Sequence, residues 1–441
     1  MRFHLKSRAG RALAAASLAT VGASGIFAGL ATTTSVAQAD PKQQTALVIV
    51  GSDTTQEVSN ALAGENAGLQ YTPIRSSADS GRRQVQSFDA LNPEQGGDQC
   101  ITPLIKSATV YRPNGSSSGV RALSRAIDGA TTWGNGQVAC PSTGKSVAGL
   151  FDIARSSGSG SGTGTALTYV PFTRGALSFA YYFAGTGTAV TSLTRAELQS
   201  IFTSGADYTD IVRGSQTTRV YACDIQSGSG TGATWATTVG YTRETSANVT
   251  AYSVCKNTAA GADYANSPSG ALTGTNAGKM QENDTYGLKA KGVAIKALPA
   301  NASANIQVIV GMESANFIAQ ANGVSFRDVA SGVLIGGISN DGSGNNLGLP
   351  YGNGTTEWNG TSQILPNSTF FNNATFGRTM YNVFDSGRVA DADIESLFIG
   401  SSSVLCSDAN ALSIVATFGF SPLSSGCGSI SLTRPLSSGT S

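Results

Sequence analysis

The stretch Thr45-Ala46-Leu47-Val48-Ile49-Val50, then Gly51-Ser52-Asp53-Thr54-Thr55, then Gln56-Glu57-Val58-Ser59-Asn60-Ala61-Leu62 decides the fold class. A short β-branched apolar run predicts a buried strand. The small polar turn stops it, and the residues beyond read as a helix. Strand, turn and helix make the first half of a βα unit. A turn of this kind presents the free N–H groups of a helix start, which suit an anion.

The chain repeats the unit. Ala108–Tyr111 predicts a strand, Asn114-Gly115-Ser116-Ser117-Ser118-Gly119 a turn, and Val120–Ala130 a helix. Leu150–Ala154 predicts a third strand before Arg155-Ser156-Ser157-Gly158. Arg219–Ala222 predicts another, before Gln226-Ser227-Gly228-Ser229-Gly230-Thr231 and a helix from about Ala233. Leu167–Phe172, Ala176–Phe183, Val293–Leu298, Ile306–Gly311 and Thr379–Phe384 read as strands. Met312–Ala321 and Ala390–Phe398 read as helices, and Thr194-Arg195-Ala196-Glu197 is a capping-box pattern. Residues 75 to 100 read as a polar surface excursion, and 340 to 376 as loop-rich. The expected class is α/β. In open α/β sheets ligands bind beyond the carboxyl ends of the strands, where these turns would converge.

Composition narrows the function. Arg2, Lys6, Arg8 and Arg11 precede a small apolar run, Ala12–Leu30, and Ala37-Gln38-Ala39 fits a signal-peptidase site, so cleavage is expected before Asp40. No cysteine follows the run closely, which argues against a lipid anchor, and no later apolar run is long enough to span a bilayer. Of 28 basic residues the segment removes four, leaving 24 against 27 acidic ones. That balance argues against a nucleic-acid binder. The segment also holds the single histidine, His4. Residues 40 to 441 therefore cannot build a Ser-His-Asp or Cys-His catalytic set, nor a His-ligated zinc site. Gly115-Ser116-Ser117-Ser118-Gly119 fits the spacing of a hydrolase nucleophile turn, but lacks that histidine. Gly144-Lys145-Ser146 fails as a phosphate-binding loop because Ala139 stands at the leading glycine.

Cys100, Cys140, Cys223, Cys255, Cys406 and Cys427 form an even set with no close CxxC pair, which in an exported chain reads as disulfides, not metal. The pairing is open; joining nearest neighbours would give Cys100–Cys140, Cys223–Cys255 and Cys406–Cys427. A mature length of roughly 400 residues calls for two domains.

The order of the turns resembles the phosphate-binding component of phosphate ABC importers, within the type II periplasmic binding proteins, nearest to the long actinobacterial members. The resemblance rests on Gly51-Ser52-Asp53-Thr54-Thr55, Asn114-Gly115-Ser116-Ser117-Ser118-Gly119-Val120, Phe151-Asp152-Ile153-Ala154-Arg155-Ser156-Ser157, Leu193-Thr194-Arg195-Ala196-Glu197-Leu198 with Ile201-Phe202, Ser227-Gly228-Ser229-Gly230-Thr231 and Glu282-Asn283-Asp284. It implies two lobes, each a mixed sheet flanked by helices, with a ligand cleft between them. Lobe 1 would comprise 40–175 and 320–441, and lobe 2 176–319. It makes Thr54 or Thr55, Ser116, Ser157, Ser229, Gly230 and Thr231 ligand contacts, with Ser117 and Ser156 beside them. Two positions depart from the family. Its carboxylate falls at Ser157, leaving Asp53 or Asp284 as replacement, and its arginine falls at Ile225, leaving Arg155 to supply the charge. The implied protein is a secreted or wall-associated monomer that captures phosphate or a similar oxyanion for an ABC permease, without cofactor, metal or catalysis. The competing readings are a wall or adhesion protein reusing the fold and a secreted phosphatase or esterase.

Overall fold

The computed structural model describes residues 46–66, 69–75, 84–90, 100–134, 140–141, 146–243, 255, 267–272 and 276–439. The expected signal segment, the Gly144-Lys145 pair and most of the 75–100 excursion lie outside these. Among the described residues no helix is long and apolar enough to cross a membrane.

The principal elements run β1 Ala46–Gly51, α1 Gln56–Leu62, β2 Gln84–Ser87, α2 Ser116–Asp128, β3 Ile153–Ser156 and β4 Leu167–Ala184. They continue β5 Ser192–Thr194, α3 Arg195–Thr203, β6 Thr209–Arg213, β7 Gln216–Ala222, α4 Gly230–Val239, α5 Thr285–Lys296, β8 Asn305–Glu313 and α6 Ser314–Ala321. The chain closes with β9 Val333–Ile335, β10 Gly337–Asn340, β11 Gly377–Asp385, α7 Ala392–Phe398, α8 Ala409–Thr417, β12 Ser421–Pro422 and β13 Thr433–Arg434.

The architecture is α/β, a large mixed sheet flanked by helices. Its main path is β6-β7-β8-β4-β11-β3-β1-β2. β1 runs parallel to both β2 and β3. Leu47 and Ile49 pack into the cluster that holds Val58, Ala61 and Leu62 of α1. Val48 and Val50 pack with Ala122 and Ala126 of α2. Both faces of β1 are therefore covered, which is why its sequence is apolar without alternation.

β4 joins the two halves of the sheet. Residues 167 to 176 pair antiparallel with β11, and residues 177 to 184 with β8. The two strands expected at Leu167–Phe172 and Ala176–Phe183 are thus one. Pro171 has no N–H to give, and the register against β11 shifts there, between Met380 and Tyr381. Strands β9 and β10 follow α6 and pair with the second half of β4 and with β5. The chain thus stays with the second half of the sheet beyond residue 320.

The strand expected at Val293–Leu298 is instead the end of helix α5. Leu288, Lys291, Gly292 and Ile295 are its buried face, at helical spacing, and Asp284 caps it by accepting from Gly287 N at 2.9 Å. The capping box at Thr194 and Glu197 is formed as the sequence implied. Three disulfides join Cys100–Cys140, Cys223–Cys255 and Cys406–Cys427.

Candidate functional site

The turns that follow β1 and β7, the start of α2, the end of β3 and the segment before α5 meet between the two halves of the sheet. Glycine makes the approach possible. At Gly115 (φ +96°) a Cβ would lie 2.3 Å from Gly228 O, and at Gly228 it would lie 2.6 Å from Asn114 O. At Gly230 a Cβ would lie 2.4 Å from Ser116 Oγ and 2.6 Å from Ser157 Oγ. A Cβ cannot approach a backbone carbonyl so closely, so glycine is required at Gly115 and Gly228.

The meeting point is a buried cluster of hydroxyls. Ser116 Oγ accepts from Ser157 N at 3.0 Å and lies 3.1 Å from Ser157 Oγ. Thr54 Oγ1 and Thr231 Oγ1 are hydrogen-bonded at 2.8 Å. Glu282 Oε2 lies 2.9 Å from Thr54 Oγ1 and 3.2 Å from Thr231 Oγ1, and accepts the proton of whichever threonine does not donate to the other. Ser229 caps α4, accepting from Gly232 N at 2.8 Å, so α2 and α4 both begin at the cluster. A second contact latches the halves nearby: Gln281 Nε2 donates to Asp53 Oδ2 at 2.7 Å, and Asn114 Nδ2 to Gln281 Oε1 at 3.1 Å.

The cation in the cluster is Arg378, from β11. It donates through Nη2 to Thr231 Oγ1 at 2.7 Å and through Nη1 to Ser157 O at 3.2 Å. Its Nε donates to Glu313 Oε2 at 2.8 Å. Glu313 ends β8 and also accepts from Ala176 N at 2.7 Å, the point where β4 passes from one half to the other. Burial pushes the Glu313 carboxyl above its usual range, against the pull of Arg378. The second carboxylate, Glu282, is fully buried, and its Oε1 has no hydrogen-bond partner among the described residues.

Of the residues expected in the site, Thr54, Ser116, Ser157, Gly230 and Thr231 are brought together. Ser229 acts through its cap, and Ser117 N faces Gly228 O at 3.4 Å. Ser156 Oγ donates to Gly158 O at 2.7 Å, holding the turn. Thr55 is buried beside Thr54 with its hydroxyl unpaired. Arg155 is placed elsewhere: its guanidinium donates to Ser52 O at 3.0 Å, Ser87 Oγ at 2.7 Å and Phe88 O at 2.7 Å. It props the β1 turn from behind, and Arg378 stands where Arg155 was expected. Asp284 caps α5, while Asp53 pairs with Gln281 and lies 3.7 Å from Arg327. The carboxylate among the hydroxyls is Glu282, inside a motif the sequence singled out but not the residue chosen from it. Nothing in the sequence marks Arg378, which is the second residue of β11 and stands just before the strand expected at Thr379–Phe384.

No protein-family model matches the chain, and no curated protein matches it. Among solved structures the chain is similar to an ABC-type phosphate transport receptor from Vibrio cholerae, at 13% identity and a TM-score of 0.41, covering 86% of this chain and 100% of that one. It is also similar to a human phosphate binding apolipoprotein, at 13% identity and a TM-score of 0.38, covering 86% and 91%.

Proposed function

We propose that the chain is an exported solute-binding protein that captures a tetrahedral oxyanion carrying at least one proton, phosphate by preference, between the two halves of its sheet. The observation that carries this reading is Arg378, held by Glu313 and aimed at Thr231 and Ser157 within a buried cluster of hydroxyls. A guanidinium, four hydroxyls and two helix starts suit an anion. Glu282 and Glu313 put two carboxylates beside that one cation, so a bare anion would meet repulsion. A ligand with a proton to donate would instead satisfy Glu282 Oε1, which has no partner among the described residues. The missing histidine and the burial of the hydroxyls favour binding over turnover.

The halves of the sheet are proposed as lobes, 40–175 with the C-terminal part and 176–319 extended to Asn340 by the pairing of β9 and β10. Cleavage before Asp40, secretion to the exterior or wall, a monomeric state and delivery to an ABC permease complete the reading. The disulfides suit an oxidising compartment.

Calorimetry of ligand-stripped protein with phosphate and with sulfate tests it. Phosphate should bind and sulfate should not. Glu282→Gln, which can donate where Glu282 accepts, should admit sulfate. Absence of heat with every oxyanion would sink the proposal, and so would turnover of a chromogenic phosphate ester abolished by Thr54→Ala.

A further inference from the structure

A second polar cluster lies beside the hydroxyl site. Glu57, on α1, is 5% exposed; its Oε1 accepts from Ser325 Oγ at 2.8 Å, and its Oε2 has no partner among the described residues. Ser325 and Arg327 lie between α6 and β9, elements of the second half, whereas α1 follows β1 of the first. The contact of Glu57 with Ser325 is therefore made across the halves, as is that of Asp53 with Arg327 and Gln281.

The charges facing Glu57 do not balance it. Arg327 is the cation on its side, and Asp53, Asp89 and Tyr71 are the other titratable groups. Arg327 also faces Asp53 and Asp284, and Asp53 in turn faces Glu282 and Arg155. Among the described residues no cation stands within ion-pair distance of Glu57. Arg327 Nε and Nη1 are themselves buried without a partner among the described residues. An ionised Glu57 would be a buried charge only partly offset by Arg327 when the halves are together, and a hydrated one when they part.

We propose that closure of the two halves takes up a proton at Glu57, so that acid holds the cleft shut and alkaline pH opens it. Burial raises Glu57 from 4.5 to about 8, opposed by Arg327 and Ser325, and raises Asp53 from 3.8 to about 6. The sign follows from the raised values. The closed form is most favoured below 4.5, where Glu57 carries its proton in both forms, and that advantage is lost as pH rises through about 8. Between about 6 and about 8 that one proton changes the closed-to-open ratio by about tenfold per pH unit, and below about 6 Asp53 adds to the slope. Above about 8 the ratio levels off. This device rests on the two halves moving as lobes, not on the identity of the ligand.

The test uses ligand-free protein: small-angle scattering from pH 5 to 9 at fixed ionic strength, for the natural chain and Glu57→Gln. Glutamine keeps the size and the acceptor for Ser325 but cannot ionise. Between pH 6 and 9 the radius of gyration of the natural chain should rise with pH, and that of the variant should stay constant; below pH 6 Asp53 titrates in both proteins. A constant radius in the natural chain, or the same rise in both proteins, would overturn the proposal. No oxyanion is present, so failure of the phosphate reading would be seen separately, in calorimetry.

Discussion

Arg378 is oriented before any ligand arrives, because Glu313 holds its Nε at 2.8 Å and neither side chain reaches solvent freely. A buried pair of this kind contributes little net stability when intact but is costly when halved. Arg378→Ala is therefore expected to lower the unfolding free energy by about 3 kcal/mol, since it strands the Glu313 charge. Adding Glu313→Gln should return part of that loss, a coupling that a double-mutant cycle in urea would read. Additive losses would mean that the two residues do not act as a pair. Arg378→Lys keeps the charge but not the fork, and should weaken phosphate binding by about 2 kcal/mol with little effect on folding. At this scale the sequence was only half legible. Ser116, Ser157, Gly230 and Thr231 stand in small, polar turns whose local chemistry announces them. Arg378 meets Ser157 across a separation of 221 positions and Glu282 meets Thr54 across 228, and neither has a local signature.

Elements were more legible than residues, because helix starts and buried strands are written in neighbouring side chains. The capping box before α3 illustrates this: Thr194 Oγ1 accepts from Glu197 N at 3.1 Å, and Glu197 Oε2 accepts from Thr194 N at 2.8 Å. Thr194→Ala removes the acceptor of one orphan N–H and should cost about 1 kcal/mol in thermal or urea unfolding. A loss near zero would show that water serves the cap as well. The reading failed at α5, where Val293 and Ile295 have strand preferences while Leu288, Lys291 and Ile295 share one helical face. Packing decided that contest, as it does when propensity is weak. The sequence also suggested a break at Thr173-Arg174-Gly175 where β4 is continuous. The register shift opposite Pro171 absorbs the missing donor. The local loop closed by Cys406–Cys427 spans 21 positions. Replacing both cysteines with serine should cost about 3 kcal/mol, chiefly by freeing the unfolded chain.

For the molecule as a whole, the distance between the halves is set by backbone touching backbone. Gly228 meets Asn114 O, and Gly115 meets Gly228 O, without side chains between them. A methyl at Gly228 would lie 2.6 Å from Asn114 O, and a carbonyl cannot swing aside as a side-chain tip would. Gly228 lacks the left-handed backbone of Gly115, so alanine there carries no conformational strain of its own. Gly228→Ala should therefore leave each half folded and hold them apart. Its radius of gyration at pH 5 should match that of the natural chain at pH 9, and its phosphate affinity should fall by at least tenfold. Separation would also break the contacts of Thr54 with Thr231 and of Gln281 with Asn114, so hydrogen exchange at the α2 and α4 starts should rise together. An unchanged radius with unchanged affinity would mean that the closed arrangement is not fixed by this contact. A changed radius with unchanged affinity would place the ligand on one half alone, and the joint arrangement of Thr54, Thr231 and Arg378 would then need another purpose.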